Sequence, residues 1–416
     1  VVHIGQLFHR EAGVVHDVLL ADAKGNHIEL LDQSYIVDAR TPTIKERVRM
    51  IITQTDTNFI PTGYFLNRAM ASIPFGARYR LIDFPLSNMV NSGVSNVGVV
   101  TKSNYQSLLD HIGSGDEWDL SRKTGGLHFL PPYSNNYTNG GLYRGRLEAL
   151  AGVEGFIKNA HADYVLLTDC DCVANVDYKK VVDYHEEKGA DITVVYGRSI
   201  FTPEQTKTRT ILKVSDQGEV CDVLIRPDMA GEFDASMNIF VMSKEFLLKI
   251  INESVSRNLY SFEINILQHR LSEFKVCGYR FDGYYSQIDG IQAYYQANMD
   301  LMNKEVRTEL FNLTDPIYTK VRDDAPAVYG LEASAKNSLI ADGCVIEGTV
   351  ENSVLFRGVK VARGAVIENC ILMEGTVIGR DSVVKNLITD RFVKITDNQQ
   401  IDGKKDKPYI DKNSVI

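Results

Sequence analysis

The chain has 416 residues, of which 44% are hydrophobic and 24% are charged, a composition typical of a globular protein with two or three domains. Its net charge of −9 excludes a general nucleic-acid-binding protein, because the phosphate backbone would be repelled in the absence of a basic stripe. We therefore expect no nucleic-acid partner. No apolar run approaches the ~20 residues of a membrane span, so we also expect no membrane partner.

Residues 1–49 form an N-terminal extension of unknown role. Short apolar runs on either side of Lys24-Gly25-Asn26 are typical of a small β-rich segment or a hairpin. The segment contains no functional motif.

Residues 50–305 alternate between two patterns. Short, continuous apolar runs at 97–101, 164–168 and 192–197 are typical of buried parallel strands. Helical patterns lie between and after them, at 103–112, 146–160, 178–188 and 243–253. This alternation predicts a doubly wound α/β domain, whose ligands bind beyond the carboxyl ends of the strands.

A charged, proline-containing stretch suggests a linker over 306–330, and the pattern then changes over 331–416. Aliphatic residues recur every six positions in two neighbouring columns, with glycines between them. The columns are Ile371, Val377 and Val383, and Val366, Leu372, Ile378 and Val384. Such a period predicts a parallel β-helix in which each strand stacks its aliphatic residue on the one below. A series of ordinary hairpins is the alternative.

The six cysteines show neither a CxxC pair nor the spacing of a disulfide framework. They are Cys170, Cys172, Cys221, Cys277, Cys344 and Cys370. Because apolar residues surround them, we expect buried thiols in a reducing cytosol and therefore a cytoplasmic protein.

Five stretches in order resemble the motifs of ADP-glucose pyrophosphorylases (glucose-1-phosphate adenylyltransferases). They are RAMASIPFGARYRLIDFPLSNMVNSG at 68–93, GLYRGRLEAL at 141–150, YVLLTDCDCVANVDY at 164–178, SMNIFVM at 236–242 and YYSQIDGIQAYYQANMDL at 284–301. The resemblance implies a Rossmann-like nucleotidyltransferase domain followed by a left-handed parallel β-helix. It also implies the reaction of ATP with glucose 1-phosphate to give ADP-glucose and pyrophosphate, with Mg²⁺ as the cofactor.

The chemistry of the family needs a glycine-rich loop that holds the triphosphate, basic side chains, and two carboxylates that bind Mg²⁺. The loop should lie just after Met50, where this chain reads IITQTDTNFIPTGYFLN, with Gly63 as its one glycine and with no basic residue. We therefore expect the phosphate-binding loop to be missing.

The basic positions are partly kept. Met70 stands where the family has lysine, and a methionine cannot neutralise a phosphate. Arg78 and Arg80 match the family's basic-aromatic-arginine triplet, so they are the remaining candidates for catalytic phosphate contacts. The alternative is that they pair with Asp83 or with a neighbouring subunit.

The carboxylates are also partly kept. Asp171 matches the family's first metal ligand, whereas Gln287 stands where the family has the second aspartate. Losing one charge beside a dication in a partly dry site costs kilocalories, which leaves open whether this chain binds Mg²⁺. Asp169 is a candidate substitute ligand or a structural cap, and Asp289 is a candidate cap for the following helix.

The family's sugar-binding stretches are altered in this chain, and four residues at their positions are candidates for substrate binding. Gly145 and Glu148 lie where the family has glycine-threonine-alanine-aspartate. Arg226 replaces the lysine of a glutamate-lysine-proline stretch, and Ser236 is retained. The alternative for Arg226 and Ser236 is an ordinary surface position.

These changes make the chain most similar to the regulatory D-type subunit of bacterial glycogen biosynthesis. The resemblance implies a non-catalytic partner of the catalytic subunit, in a hetero- or homotetramer, with a nucleotide or sugar phosphate as effector. Two alternatives stay open: an active adenylyltransferase with a divergent site, and a scaffold that senses sugar phosphates.

Overall fold

The computed structural model describes residues 69–101, 104–131, 143–403, 410 and 412–416, and the backbone of 48–53 and 409. The predicted hairpin at Lys24-Gly25-Asn26 lies outside the described residues. So does most of the segment expected to replace the phosphate-binding loop, including Gly63.

The first domain contains thirteen described strands, three of which overlap the predicted apolar runs. They are β1 (Val48–Thr53), β2 (Pro74–Phe75), β3 (Tyr79–Arg80), β4 (Asn96–Val100), β5 (Gly126–Leu130), β6 (Tyr164–Asp169), β7 (Cys172–Ala174), β8 (Ile192–Phe201), β9 (Thr210–Val214), β10 (Val220–Ile225), β11 (Gly231–Ser243), β12 (Val276–Arg280) and β13 (Tyr285–Gln287). The runs at 97–101, 164–168 and 192–197 are confirmed as β4, β6 and β8.

The central sheet has the order β10-β9-β11-β6-β1-β4-β5, and β8 pairs with both β11 and β12. Strands β6, β1, β4 and β5 are parallel, as expected. The long strand β11 is antiparallel to both β6 and β8, so the expectation that β8 lies among parallel strands is only half right. An apolar run shows that a strand is buried on both faces, but it carries no information about the direction of its neighbours.

The helices flank this sheet and match the predicted patterns. They are α1 (Asp83–Asn91), α2 (Gln106–Ile112), α3 (Arg146–Gly152), α4 (Glu154–Lys158), α5 (Tyr178–Lys188), α6 (Pro203–Thr206), α7 (Lys244–Ser256), α8 (Ile291–Asp300) and α9 (Lys304–Leu310), with a π-helical segment at Glu263–Gln268. Side-chain caps explain two of the starts, because Asp177 accepts from the backbone of α5 and Ser243 from that of α7.

The second domain is a parallel β-solenoid with three faces. Its strands are β14 (Val328–Tyr329), β15 (Ser334–Lys336), β16 (Leu339–Ile340), β17 (Val345–Ile346), β18 (Thr349–Glu351), β19 (Val354–Leu355), β20 (Lys360–Val361), β21 (Val366–Glu368), β22 (Ile371–Leu372), β23 (Val377–Ile378), β24 (Val383–Lys385), β25 (Ile388–Thr389), β26 (Lys394–Ile395), β27 (Gln400–Asp402) and β28 (Tyr409–Ile410). Every third strand joins the same sheet, which confirms the parallel β-helix and excludes a series of hairpins.

The six-residue period has a different meaning from the one expected. The step from Ile371 to Val377 leads to the next face of the solenoid, not to the next turn. Stacking joins positions one full turn apart, so that Ile378 pairs with Val361 and Ile395, and all three side chains are buried inside the solenoid.

An outward face of the solenoid packs against the first domain. Val354, Ile371 and Ile388 share one apolar cluster with Phe75 and Tyr294, and all of these side chains are buried. The two domains are therefore held together by a continuous apolar contact.

Two smaller findings complete the description. In the described part of the chain, no helix is long and apolar enough to cross a membrane. The cysteines are free thiols and five of them are buried, but Cys221 on β10 is exposed, so the expectation of burial is wrong for that residue.

Candidate functional site

Asp171 and Gln287 lie side by side, as their sequence positions predict. Asp171 is in the connection between β6 and β7, and β7 pairs with β13, which places Gln287 opposite Cys172. The Gln287 side-chain amide donates from Nε2 to Asp171 Oδ2 at 2.9 Å, and Asp171 and Gln287 are both buried. This location at the carboxyl end of a central strand is where α/β domains bind ligands.

The orientation of the Gln287 amide is determined by Arg209. The Gln287 Oε1 atom accepts a hydrogen bond from Arg209 Nη1 at 2.8 Å. A flipped amide would turn its N–H groups toward the guanidinium and its oxygen toward the carboxylate, which would lose both hydrogen bonds. Gln287 therefore presents a donor, not an oxygen, to Asp171.

Asp169 belongs to a separate buried ion pair. Its Oδ2 atom lies 2.6 Å from Arg146 Nη2, and Arg146 Nη1 lies 2.6 Å from Glu263 Oε1. The side chains of Arg146 and Asp169 are 1% and 3% exposed, so neither is solvated by bulk water. Asp169 is thus engaged by an arginine rather than directed toward Asp171 as a second ligand.

Asp289 was a candidate helix cap, and that expectation is wrong. The N-cap of α8 is Gly290, without a capping side chain. The Asp289 carboxylate instead accepts from Thr208 Oγ1 at 2.7 Å and pairs with Arg209 at 3.3 Å. The nearby guanidinium attracts a carboxylate more strongly than the backbone N–H groups of a helix start do.

The environment of Asp171 disfavours its charged form. Burial, and secondly the negative charge of Asp169, raise the pKa of Asp171 to about 7. No described residue donates a hydrogen bond to its Oδ1 atom, and Asn238 Nδ2 is 3.4 Å from Oδ2.

These residues do not fit a magnesium site. Mg²⁺ needs oxygen ligands in near-octahedral geometry, whereas the groups that contact Asp171 Oδ2 are the side-chain amides of Gln287 and Asn238. Among the residues that the structure describes, no group of three or more His, Cys, Asp or Glu side chains is arranged to hold a metal ion.

The residues expected at the sugar site have structural roles. A Cβ on Gly145 would lie 2.4 Å from the backbone oxygen of Tyr260, so a side chain does not fit there. The Glu148 carboxylate accepts hydrogen bonds from the backbone N–H of Arg144 at 2.6 Å and from Arg144 Nε at 2.7 Å. Whether Gly145 and Glu148 also contact a sugar stays a prediction.

Arg226 and Ser236 are connected to the cluster at Asp171. The Arg226 backbone N–H donates to the Arg209 carbonyl oxygen at 2.8 Å, although its side chain is exposed. Ser236 is buried, not on the surface, and its Oγ accepts from the backbone N–H of Asn238 at 3.2 Å. A β-bulge between Ser236 and Ile239 directs Asn238 toward Asp171.

Arg78 and Arg80 lie at a different place. They line a pocket between the first domain and the solenoid, which we call the arginine pocket. Its arginines are Arg78, Arg80, Arg322, Arg357 and Arg391. Met70, at the position where the family has a lysine, packs against the neighbouring apolar cluster, as expected of a side chain that cannot neutralise a phosphate.

The contacts of Arg80 differ from the pairing considered for it. The Arg80 backbone N–H donates to Asp83 at 2.9 Å, while its guanidinium donates to the backbone oxygen of Ser107 at 2.6 Å. The Arg78 guanidinium is exposed and lies 5.6 Å from the centre of the Tyr79 ring. Arg78 and Arg80 thus line a basic pocket whose described lining includes neither Asp171 nor Gln287, and their phosphate contacts stay a prediction.

Positive charge exceeds negative charge in the arginine pocket. Glu374 pairs with Arg322 at 2.8 Å and with Arg391 at 3.4 Å, and it is the one carboxylate among the described residues that line the pocket. Outside this lining, the Asp324 carboxylate lies 3.5 Å from Arg357 Nε. Burial, and then the charge of Arg322, lower the pKa of Arg357. An anion in this pocket would relieve that repulsion.

Several residues at the two sites were not found by sequence reasoning. Arg209 and Glu263 lie far along the chain from their partners, and no local signal marks them. Arg357, Glu374 and Arg391 did have a signal, because they occupy equivalent corners of successive solenoid turns. Comparing polar residues one full solenoid turn apart, rather than six positions apart, reveals this charged column.

Comparisons with known proteins agree with this architecture. Residues 66–304 match the nucleotidyl transferase family, and residues 325–411 match the GlmU-like C-terminal hexapeptide family. The glycogen biosynthesis protein GlgD of Bacillus subtilis is 36% identical over 84% of this chain and 91% of its own length. Glucose-1-phosphate adenylyltransferases of Clostridium perfringens and Geobacillus stearothermophilus are each 35% identical over 72% of this chain, and over 77% and 78% of their own lengths. The chain therefore belongs to the same family as glucose-1-phosphate adenylyltransferase and GlgD.

Proposed function

We propose that this chain is a regulatory, non-catalytic subunit of glucose-1-phosphate adenylyltransferase in glycogen biosynthesis. In this role it assembles with a catalytic subunit into a mixed tetramer and changes the partner's rate or its response to effectors. The similarity to GlgD over most of both chains supports the place in glycogen biosynthesis.

The contact between Gln287 and Asp171 carries the non-catalytic part of the proposal. Adenylyl transfer depends on positioning and on stabilising the charge of the phosphates. Here the position of the family's second carboxylate holds an amide that donates to the first, at 2.9 Å. An active site of this family cannot bind its metal in the usual way through such a pair.

The arginine pocket supports the regulatory part. Five arginines and one carboxylate line a cleft to which both domains contribute, which suits a phosphorylated effector such as a nucleotide or a sugar phosphate. Because the pocket spans two domains, an effector bound there would favour one arrangement of the domains over others.

The test is an assay of ADP-glucose synthesis with the purified chain alone, with a catalytic subunit from the same organism, and with the mixture. We expect no activity from the chain alone, co-elution of the two chains in size-exclusion chromatography, and a changed rate or effector response in the mixture. Robust Mg²⁺-dependent synthesis by the chain alone would refute the non-catalytic role. Unchanged kinetics in a stable mixture would refute the regulatory role.

A further inference from the structure

We propose that Gln287, held by Arg209, closes the family's metal position in this chain, so that Asp171 binds no divalent cation, and that exchanging Gln287 for glutamate creates a cation site. The inference concerns cation binding alone. It holds or fails whether or not the chain regulates a partner.

The first step is the accounting of the carboxylates near Asp171. Asp169 forms an ion pair with Arg146, which also pairs with Glu263. Asp289 is taken up by Arg209 and Thr208. Among the residues that the structure describes, the two carboxylates weighed as further ligands, Asp169 and Asp289, are therefore already paired with groups of the protein itself.

The second step is the polarity of the groups around Asp171 Oδ2. Gln287 Nε2 donates to this oxygen at 2.9 Å, and Asn238 Nδ2 lies 3.4 Å from it. Both groups point the positive end of an N–H dipole at the place where a cation would bind. A divalent cation bound to Oδ2 would have to displace these donors and would find no oxygen of Gln287 facing it.

The third step is the role of Arg209. Because its Nη1 atom donates to Gln287 Oε1 at 2.8 Å, turning the amide to offer its oxygen would place N–H groups against a guanidinium. The side chain of Arg209 is 6% exposed, so water offers little compensation for the lost hydrogen bond. Arg209 thus maintains the orientation of the amide that excludes a cation.

Glutamate tests this arrangement because it has the same length and shape as glutamine. In a Gln287→Glu variant, one carboxylate oxygen would still accept from Arg209 while the other would face Asp171. Two carboxylate oxygens at hydrogen-bond distance repel each other unless a cation or a proton lies between them. A divalent cation would then gain two carboxylate ligands at once.

The experiment titrates the full-length chain with Mn²⁺ and follows the electron paramagnetic resonance signal of the free ion. In the wild-type chain we expect no saturable Mn²⁺ binding that depends on Asp171. The Mn²⁺ titration of an Asp171→Asn variant should therefore match that of the wild type. Gln287→Glu should bind Mn²⁺ at least about tenfold more tightly than the wild type. The double variant Gln287→Glu/Asp171→Asn should lose this binding, and circular dichroism shows whether each variant is folded.

Two results would overturn the proposal. One is saturable Mn²⁺ binding by the wild-type chain that disappears in Asp171→Asn, a comparison that stays decisive if Gln287→Glu does not fold. The other is a folded Gln287→Glu variant that binds Mn²⁺ no better than the wild type. Neither readout involves ADP-glucose synthesis or a catalytic subunit, so failure here is distinguishable from failure of the regulatory function.

Discussion

The hydroxyl of Tyr295 on α8 donates to the backbone carbonyl oxygen of Asn369 in the solenoid, with 2.8 Å between the two oxygen atoms. Next to it, the buried ring of Tyr294 belongs to the apolar cluster that both domains share. The contact between the domains thus combines a directional hydrogen bond with apolar packing, and the arginine pocket lies between the same two domains.

Replacing Tyr295 by phenylalanine removes this hydrogen bond and keeps the ring. The Asn369 carbonyl loses its side-chain partner, so we expect the free energy of unfolding to fall by about 1 kcal/mol. Urea denaturation followed by circular dichroism measures the change. Tyr329→Phe, at a position that is half exposed on the solenoid, serves as the control and should have little effect.

Replacing Arg146 by methionine should destabilise the first domain strongly. Asp169 would remain buried without its guanidinium partner, at a cost of about 3–5 kcal/mol. The matched exchange Arg280→Met removes an ion pair with Asp282 in which both side chains are exposed, and it should cost no more than about 1 kcal/mol. Equal shifts of the two denaturation midpoints would contradict this account of Arg146.

Gly145→Ala separates packing from sugar binding. The added methyl group would collide with the Tyr260 backbone, so we expect a loss of about 1–3 kcal/mol of stability without any ligand present. Gly152→Ala is the control, because nothing lies within 4 Å of its added Cβ. If Gly145→Ala unfolds at the same temperature as the wild type, Gly145 has no structural role of this kind.

The pH dependence of stability should include a contribution from His185. Burial lowers the pKa of His185 below its ordinary value of 6.5, and its Nδ1 atom lies 2.8 Å from Thr193 Oγ1. The unfolded chain therefore takes up a proton more readily than the folded chain, and stability falls as the pH drops below 6.5. When the pH is lowered from 7 to 5, the midpoint temperature of thermal unfolding should fall less for His185→Asn than for the wild type. The exposed His161 offers the control exchange His161→Asn, which should behave as the wild type does.

The arginine pocket predicts a specific defect in effector binding. Removing one charged donor in Arg357→Gln should weaken binding of a sugar phosphate by roughly ten- to a hundredfold. Isothermal titration calorimetry measures the affinity of the chain. Arg380→Gln, at an exposed position outside the pocket lining, should bind with wild-type affinity. Equal affinities of the two variants would place the anion site elsewhere.

Sequence patterns alone predicted several of the helices, strands β4, β6 and β8, and the parallel solenoid, because each depends on the spacing of residues that are close along the chain. The adjacency of Asp171 and Gln287 was also predictable, since both follow recognisable motifs. The extra antiparallel strand β11 was not, because an apolar run is compatible with neighbours in either direction.

The tertiary structure decided the partners of the charged groups. Arg209 contacts Gln287, and Arg146 contacts Glu263, across long separations in sequence that no local period records. Likewise, their motif makes Arg78 and Arg80 candidates for phosphate contacts, and only the docking of the solenoid shows that they share a pocket with Arg357 and Arg391. A buried charge is stabilised by whichever opposite charge or donor the fold brings within hydrogen-bond distance, and this depends on three-dimensional packing rather than on position in the chain.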